Sequence, residues 1–248
     1  MVEIKKVKDK IVEEGSEKIS AIQSKFSFLV NGLPDNLRKR IISALILIPI
    51  VLFFLYFSKL FFSIFVLFAV VLMTFEWTEI TKSEPEKQNQ WRVLGLAYSL
   101  SPTVSLLIIR NVDKGADIIL WLLAVIWATD IGAYFVGKNI GGPKLAPTIS
   151  PNKTISGLIG GIVCSMLIGF LSSFMFQEGP LFFSIFSGFL AIVEQISDLL
   201  ESKLKRHFGL KDSGNIIPGH GGILDRIDGI TLTAPLVMLL LITSTKIF

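Results

Sequence analysis

The sequence predicts an all-α, polytopic integral membrane bundle of about seven to nine transmembrane helices, with a polar active-site loop at its cytoplasmic face. Three observations predict it. The hydrophobic fraction of 51% is only slightly high, so the distribution of apolar residues carries the signal. They form seven long runs, Ile41–Phe57, Leu60–Phe75, Val93–Ile109, Ile118–Val136, Ile155–Phe176, Leu181–Ile196 and Ile230–Phe248, with the charges between them. None alternates with period two, as strands of a membrane barrel would. A soluble protein with so many apolar blocks would need a thick polar coat, and the chain has none. A single cysteine, Cys164, inside an apolar run excludes an intrachain disulfide framework, and with only two histidines it argues against structural zinc. The net charge of +4 is too small to point to nucleic acid.

Taken in order, residues 1–37 read as an N-terminal cytoplasmic tail and residues 38–248 as a single transmembrane domain. In the tail, Ile4, Val7 and Ile11 share helical spacing, as do Ile19, Ile22, Phe26 and Leu29. Either stripe suits a lipid surface, and nearly balanced charge suits a mobile extension instead. Arg38, Lys39 and Arg40 precede the first run, which reads as an uncleaved anchor with a cytoplasmic N-terminal end. Alternation then puts Lys82, Lys87 and Arg92 inside, followed by Lys138, Lys144 and Lys153, and finally Lys203, Lys205, Arg206, Lys211 and Arg226. The other side receives Lys59, Arg110, Lys114 and Lys246. Fourteen cations against four make the map self-consistent, with residues 76–92, 137–154 and 198–229 cytoplasmic. The shorter runs fall at or below the roughly 20 residues a spanning helix needs, so either their flanks extend them or one is half-inserted.

Polar residues in these runs mark the site. Asp130 interrupts LLAVIWATDIGAYFVG; a carboxylate there faces a polar cavity or ties helices together. Tyr134 and Gly137 share its helical face. In EQISDLLESKLKR, Glu194, Asp198, Glu201 or Ser202, and Lys205 fall on one stripe. Paired carboxylates suit a hard cation such as Mg²⁺, and Lys and Arg suit phosphates. Within Ser202–Asp228, Gly219, Gly221 and Gly222 allow backbone amides to approach an anion, His220 offers an imidazole, and Asp225 and Asp228 flank Arg226. In Gly141–Gly161, Pro143, Pro147 and Pro151 forbid a continuous helix, Lys144 and Lys153 project, and Thr154 and Ser156 are placed to cap the next helix. A phosphate there would meet amides, a positive dipole end and Lys153.

These motifs resemble the phosphatidate cytidylyltransferases, the CDP-diacylglycerol synthases. SKLKRHFGLKDSGNIIPGHGGILDRID matches their C-terminal signature throughout, and TDIGAYFVGK and KLAPTISPNKT match two upstream segments. The strong similarity covers about Ala128 to Gly229. Ser197, Ser156 and Gly229 stand where the family commonly has Gly, Glu or Gln, and Ser. The family fold implies eight or nine spans, against seven runs here. The resemblance implies transfer of the cytidylyl group of CTP to phosphatidate, giving CDP-diacylglycerol and pyrophosphate for phospholipid synthesis. It implies Mg²⁺, with room for a second cation, and a bacterial-type inner membrane with the site facing the cytoplasm. A homodimer is the further partner expectation. The expected metal ligands are Asp198 and Asp225, converging on one cation, with Asp228 behind them and Lys205 also catalytic. Lys153, Ser202, Arg206, His220, Gly221, Gly222 and Arg226 would handle phosphates, and Asp130 would line the cavity. A CTP-dependent polyprenol or phytol kinase, or a proton-coupled transporter, are the alternatives; the full C-terminal signature and the charge-dense loop disfavour them.

Overall fold

The computed structural model describes residues 35–176, 179–217 and 221–243. The expected tail lies outside them up to residue 34, as does the end of the last apolar run. Seven α-helices are described: α1 Asp35–Phe57, α2 Lys59–Ile80, α3 Gln88–Asn111, α4 Gly115–Ile140, α5 Ile155–Phe176, α6 Pro180–His207 and α7 Leu224–Thr243. The first six each contain one of the runs whole, and α7 holds the seventh as far as Thr243. The short runs are extended by their polar flanks, most of all Leu181–Ile196, which becomes the 28-residue α6. Six helices are long and apolar enough to cross a membrane, and α1 carries a shorter apolar stretch, Ile42–Phe57. No additional α-helix separates the runs among the described residues, so they hold seven helices where the family resemblance implied eight or nine spans. The fold is an all-α polytopic membrane bundle.

Close packing follows from residue size. Helix α5 presents Gly157, Gly160, Gly161, Ser165, Gly169 and Ser173 as buried positions, and packs most extensively on α4 and α6. Small side chains let helix backbones approach in lipid, where no hydrophobic force pulls them together. A Cβ on Gly157 would stand 2.8 Å from the Ala133 carbonyl oxygen. Thr129 and Ser165 join α4 to α5 through a 2.7 Å hydroxyl contact. Ile118, Trp121, Leu122, Val125, Phe183, Leu190, Ala234 and Val237 make one buried core with α2 and α3 side chains. Outward-facing apolar residues such as Phe68, Leu94, Leu171 and Leu181 remain exposed, as a lipid-facing belt requires.

The basic connections gather at one end. The Pro-rich segment after α4 folds as a two-stranded antiparallel hairpin, β1 Lys144–Ala146 and β2 Ser150–Thr154. The prolines do prevent a helix there, and the strands answer the backbone donors that the loop would otherwise leave open. Arg206 at the end of α6 reaches the Ile149 carbonyl of the hairpin at 3.4 Å. His207 meets Glu84 between α2 and α3 at 2.7 Å. At the opposite end, the Tyr56 hydroxyl donates to Asp117 at 2.8 Å and Lys59 to the Asn111 carbonyl at 3.2 Å. The alternation read from the cations is therefore the alternation of the helices.

Candidate active site

Two adjoining polar groups occupy the basic end. In the first, α4 supplies Asp130, α6 supplies Glu194 and Asp198, and one carboxylate oxygen from each lies within 4.8 Å of the others. Lys153, projected by β2, sits 2.5 Å from Asp198 Oδ2 and donates to Gln195 Oε1 at 3.0 Å. Gln195 in turn donates to Glu194 Oε2 at 2.9 Å, and Ser202 donates to Asp198 Oδ1 at 3.2 Å. Asp130 opens into a cavity of about 720 Å³ whose walls include Lys138, Lys144, Lys153 and Thr154. The cavity thus combines cations at its walls with Asp130, one member of the carboxylate group. Thr154 caps α5 as expected, its hydroxyl accepting the Gly157 amide at 3.1 Å. Ser156 does not cap; its hydroxyl donates to the Gly141 carbonyl and ties the first turn of α5 to the end of α4.

The second group surrounds Asp225 at the start of α7. Its Oδ1 accepts Lys205 Nζ at 2.6 Å. Its Oδ2 accepts the Ser213 amide, the Ser213 hydroxyl and the Gly222 amide, each at 2.8 Å. Lys205 also donates to Glu201 at 3.0 Å, whose other oxygen accepts the Tyr98 hydroxyl of α3 at 2.7 Å. Glu201, Lys205 and Asp225 are all buried. Behind them Glu76 of α2, also buried, accepts the amides of Ile223 and Leu224 at 2.8 and 2.9 Å. The glycine-rich amides expected to cradle an external anion are thus directed, in part, at the protein's own carboxylates. Gly221 takes φ +81, a conformation that disfavours side chains, and a Cβ there would strike Asp225.

The α6 stripe divides between the two groups: Glu194 and Asp198 face α4 and the hairpin, while Glu201 and Lys205 face α3 and α7. Asp198 therefore stands with Asp130 and Glu194, and Asp225 lies outside that three-carboxylate group. Asp228 lies close enough to Glu201, Asp198 and Asp130 to feel their charges, and its Oδ1 accepts the Gly229 amide at 2.7 Å. Arg226 is exposed, and its charge reaches Asp130. Arg206 donates to the Leu210 carbonyl at 2.7 Å as well as to Ile149, so it staples the loop to the hairpin. His220 lies outside the described residues, with Pro218 and Gly219. Glu76, Tyr98 and Gln195 escape sequence reasoning. Glu76 follows directly on an apolar run, and a carboxylate so close to the membrane is the one signal that marks it.

Comparison with known proteins follows the same residues. The profile of the cytidylyltransferase family matches residues 38–101 and 87–244. The chain belongs to the cytidylyltransferase family. Proteins named phosphatidate cytidylyltransferase are similar to it over half or more of their length. That of Brucella suis biovar 1 (strain 1330) is 35% identical over 251 residues, covering 83% of this chain and 93% of the relative. That of Rickettsia bellii (strain RML369-C) is 37% identical over 235 residues, 91% of this chain and 96% of the relative. That of Bacillus subtilis (strain 168) is 47% identical over 136 residues, 54% of this chain and 51% of the relative.

Two of the positions where this chain departs from the cytidylyltransferase pattern have partners of their own. Ser197 is buried, and its hydroxyl donates to the Asp228 carbonyl, joining α6 to α7. Gly229 lets Glu194 pack close, since a Cβ there would stand 3.1 Å from Glu194 Cγ. The donor set also fits a divalent cation. Asp130, Glu194 and Asp198 offer hard oxygen ligands, and one nearby ammonium, Lys153, offsets only part of their mutual repulsion.

Proposed function

We propose that this chain transfers the cytidylyl group of CTP to phosphatidate, giving CDP-diacylglycerol and pyrophosphate. The observation that carries the proposal is the lysine-walled cavity opening beside three carboxylates at the basic end of the bundle. A phosphate oxygen of phosphatidate forms a bond to the α-phosphorus of CTP, and the bond from that phosphorus to the bridging oxygen breaks, releasing pyrophosphate. The nucleophile is already an anion, so no strong base is required. The obstacle is repulsion between two polyanions. Lys153, with Lys138 and Lys144 on the same walls, lowers it, and Arg226 and Lys205 approach from the α7 side. Asp130, Glu194 and Asp198 would hold Mg²⁺, which offsets phosphate charge and stabilises the departing pyrophosphate. Asp198 is positioned by Lys153 and Ser202. Asp225 holds Lys205 in place, and Asp228 adds negative charge behind the cation.

The rest of the reading concerns placement. Residues 38–248 form one catalytic domain, and the site faces the cytoplasm, as the bias of fourteen cations against four supports. CTP then enters from the water, and the lipid enters sideways from the bilayer of a bacterial-type inner membrane. A homodimer completes the proposal, and the mass of the detergent-solubilised protein checks it. The reaction is tested by incubating purified protein with labelled CTP, phosphatidate and Mg²⁺. CDP-diacylglycerol with pyrophosphate is expected. CDP with a phosphorylated lipid would identify a kinase, and no turnover would leave a transporter.

A further inference from the structure

Glu76 does more than fill the end of α2. It is 3% exposed, and a carboxylate is buried at a cost unless its oxygens are bonded. Here they are. Oε1 accepts the Ile223 amide, and Oε2 accepts the Leu224 amide and, at 3.3 Å, the Ser213 hydroxyl. Those amides open α7, where the helix dipole favours negative charge. The loop is shaped to the carboxylate. A Cβ on Gly214 would stand 3.0 Å from Oε1, and one on Gly222 would stand 2.5 Å from both oxygens. Ser213 and Gly222, the residues packed on Glu76, are also those that donate to Asp225 Oδ2, while Asp225 Oδ1 holds Lys205. Three bonds, Glu76 to Ser213, Ser213 to Asp225 and Asp225 to Lys205, therefore link a helix of the first half of the chain to the buried lysine of the site.

We propose that Glu76 is a positioning residue for the reaction: from α2 it fixes the Ser213–Leu224 turn and, through it, the Asp225–Lys205 pair. This rests on the proposed cytidylyl transfer, though its structural arm does not. Charge-assisted bonds from two successive amides set both the height and the rotation of α7's first turn. A neutral amide at residue 76 would turn its own N–H₂ toward one of those donors, and the turn would have to shift.

The test compares wild type, Glu76→Gln, Ser213→Ala and the control Glu79→Gln, purified in detergent. Amide exchange is followed along residues 209–229, and kcat and KM for CTP are measured per folded molecule. Glu76→Gln is expected to speed exchange in that segment while α4 to α6 keep their protection. Its kcat should fall on the order of 10²-fold, the loss expected when reacting groups shift by about 1 Å. Glu79→Gln, on the same helix but exposed, should match wild type in both. A purely structural role would lower the folded yield and leave kcat per folded molecule unchanged, and that result overturns the proposal, as does unchanged exchange. If Glu76→Gln does not fold, Ser213→Ala decides, because it removes the hydroxyl link while leaving both carboxylates: a several-fold loss of kcat supports the proposal, and none overturns it. A wild-type protein that makes no CDP-diacylglycerol would refute the reaction, while the exchange measurements would still judge Glu76.

Discussion

Asp198 and Asp225 leave the membrane at the same end of the bundle, yet they meet different partners. Asp198 shares its surroundings with two other carboxylates and Lys153, whereas Asp225 accepts four bonds from the loop and Lys205. Their isosteric variants should therefore fail differently. Asp198→Asn is expected to lose at least ~100-fold in turnover, the order seen when an electrostatic stabiliser is removed, and to need more Mg²⁺. Asp225→Asn should lose turnover with an unchanged Mg²⁺ requirement. Titrating Mg²⁺ for both variants separates the roles, and a raised requirement in Asp225→Asn would restore it as a metal ligand. Lys205 carries a larger structural share. Lys205→Met leaves Glu201 and Asp225 buried without their cation, an arrangement that typically costs about 3–5 kcal/mol. A melting point in detergent lower by roughly 6–20 °C is expected, at about 2–4 °C per kcal/mol for a chain of this size.

At the scale of elements, the α4–α5 seam and the α2–α3 connection carry separate tests. Gly161 of α5 faces α4, where a Cβ would stand 2.9 Å from the Thr129 carbonyl oxygen. Gly161→Val overpacks that seam and should destabilise by about 1–3 kcal/mol, read as a lower melting point and as misplacement of Asp130 on the same helix. Between α2 and α3, Glu84 takes the Trp91 indole N–H at 3.0 Å and meets His207 at 2.7 Å. The indole donor first, then His207 and Lys87, hold its carboxyl below the usual carboxylate value. A depressed carboxyl contributes stability above its unfolded pKa and loses it as the pH falls through its folded pKa. Wild type should therefore be the more stable near neutrality, and wild type and Glu84→Gln should converge in acid. Melting curves against pH check this; a constant difference between them would sink it.

The whole molecule adds sidedness. The contacts of the hairpin with α6, of the α2–α3 turn with α6, and of α2 with α7 place the three basic connections at one end. If that end is cytoplasmic, a cysteine at the exposed Asn215 in a Cys164→Ser background should resist an impermeant maleimide in intact cells. An Asp113→Cys variant, at the other end, should react. Labelling at 215 without permeabilisation would invert the bundle and leave the site on the wrong side for CTP.

Much of this was legible from residue order alone. Seven apolar runs became seven helices because a chain in lipid must satisfy its backbone within each segment, which makes run length and polarity nearly sufficient. The cation bias likewise marked the end where the lysines and carboxylates gather, because charge is a local property. The i, i+4 pairs of α6, Asp198 with Ser202 and Glu201 with Lys205, follow from helical geometry for the same reason. Partner choice was not legible. That Asp198 joins Asp130 and Glu194, that Asp225 turns to Lys205 and Ser213, and that Glu76 closes on a turn 147 residues away depend on how four helices cross. Such crossings are set by glycine seams and by the depth of each helix, quantities that no single segment encodes. The sequence therefore determined which groups stand at the membrane face, and the tertiary structure alone decided which of them touch.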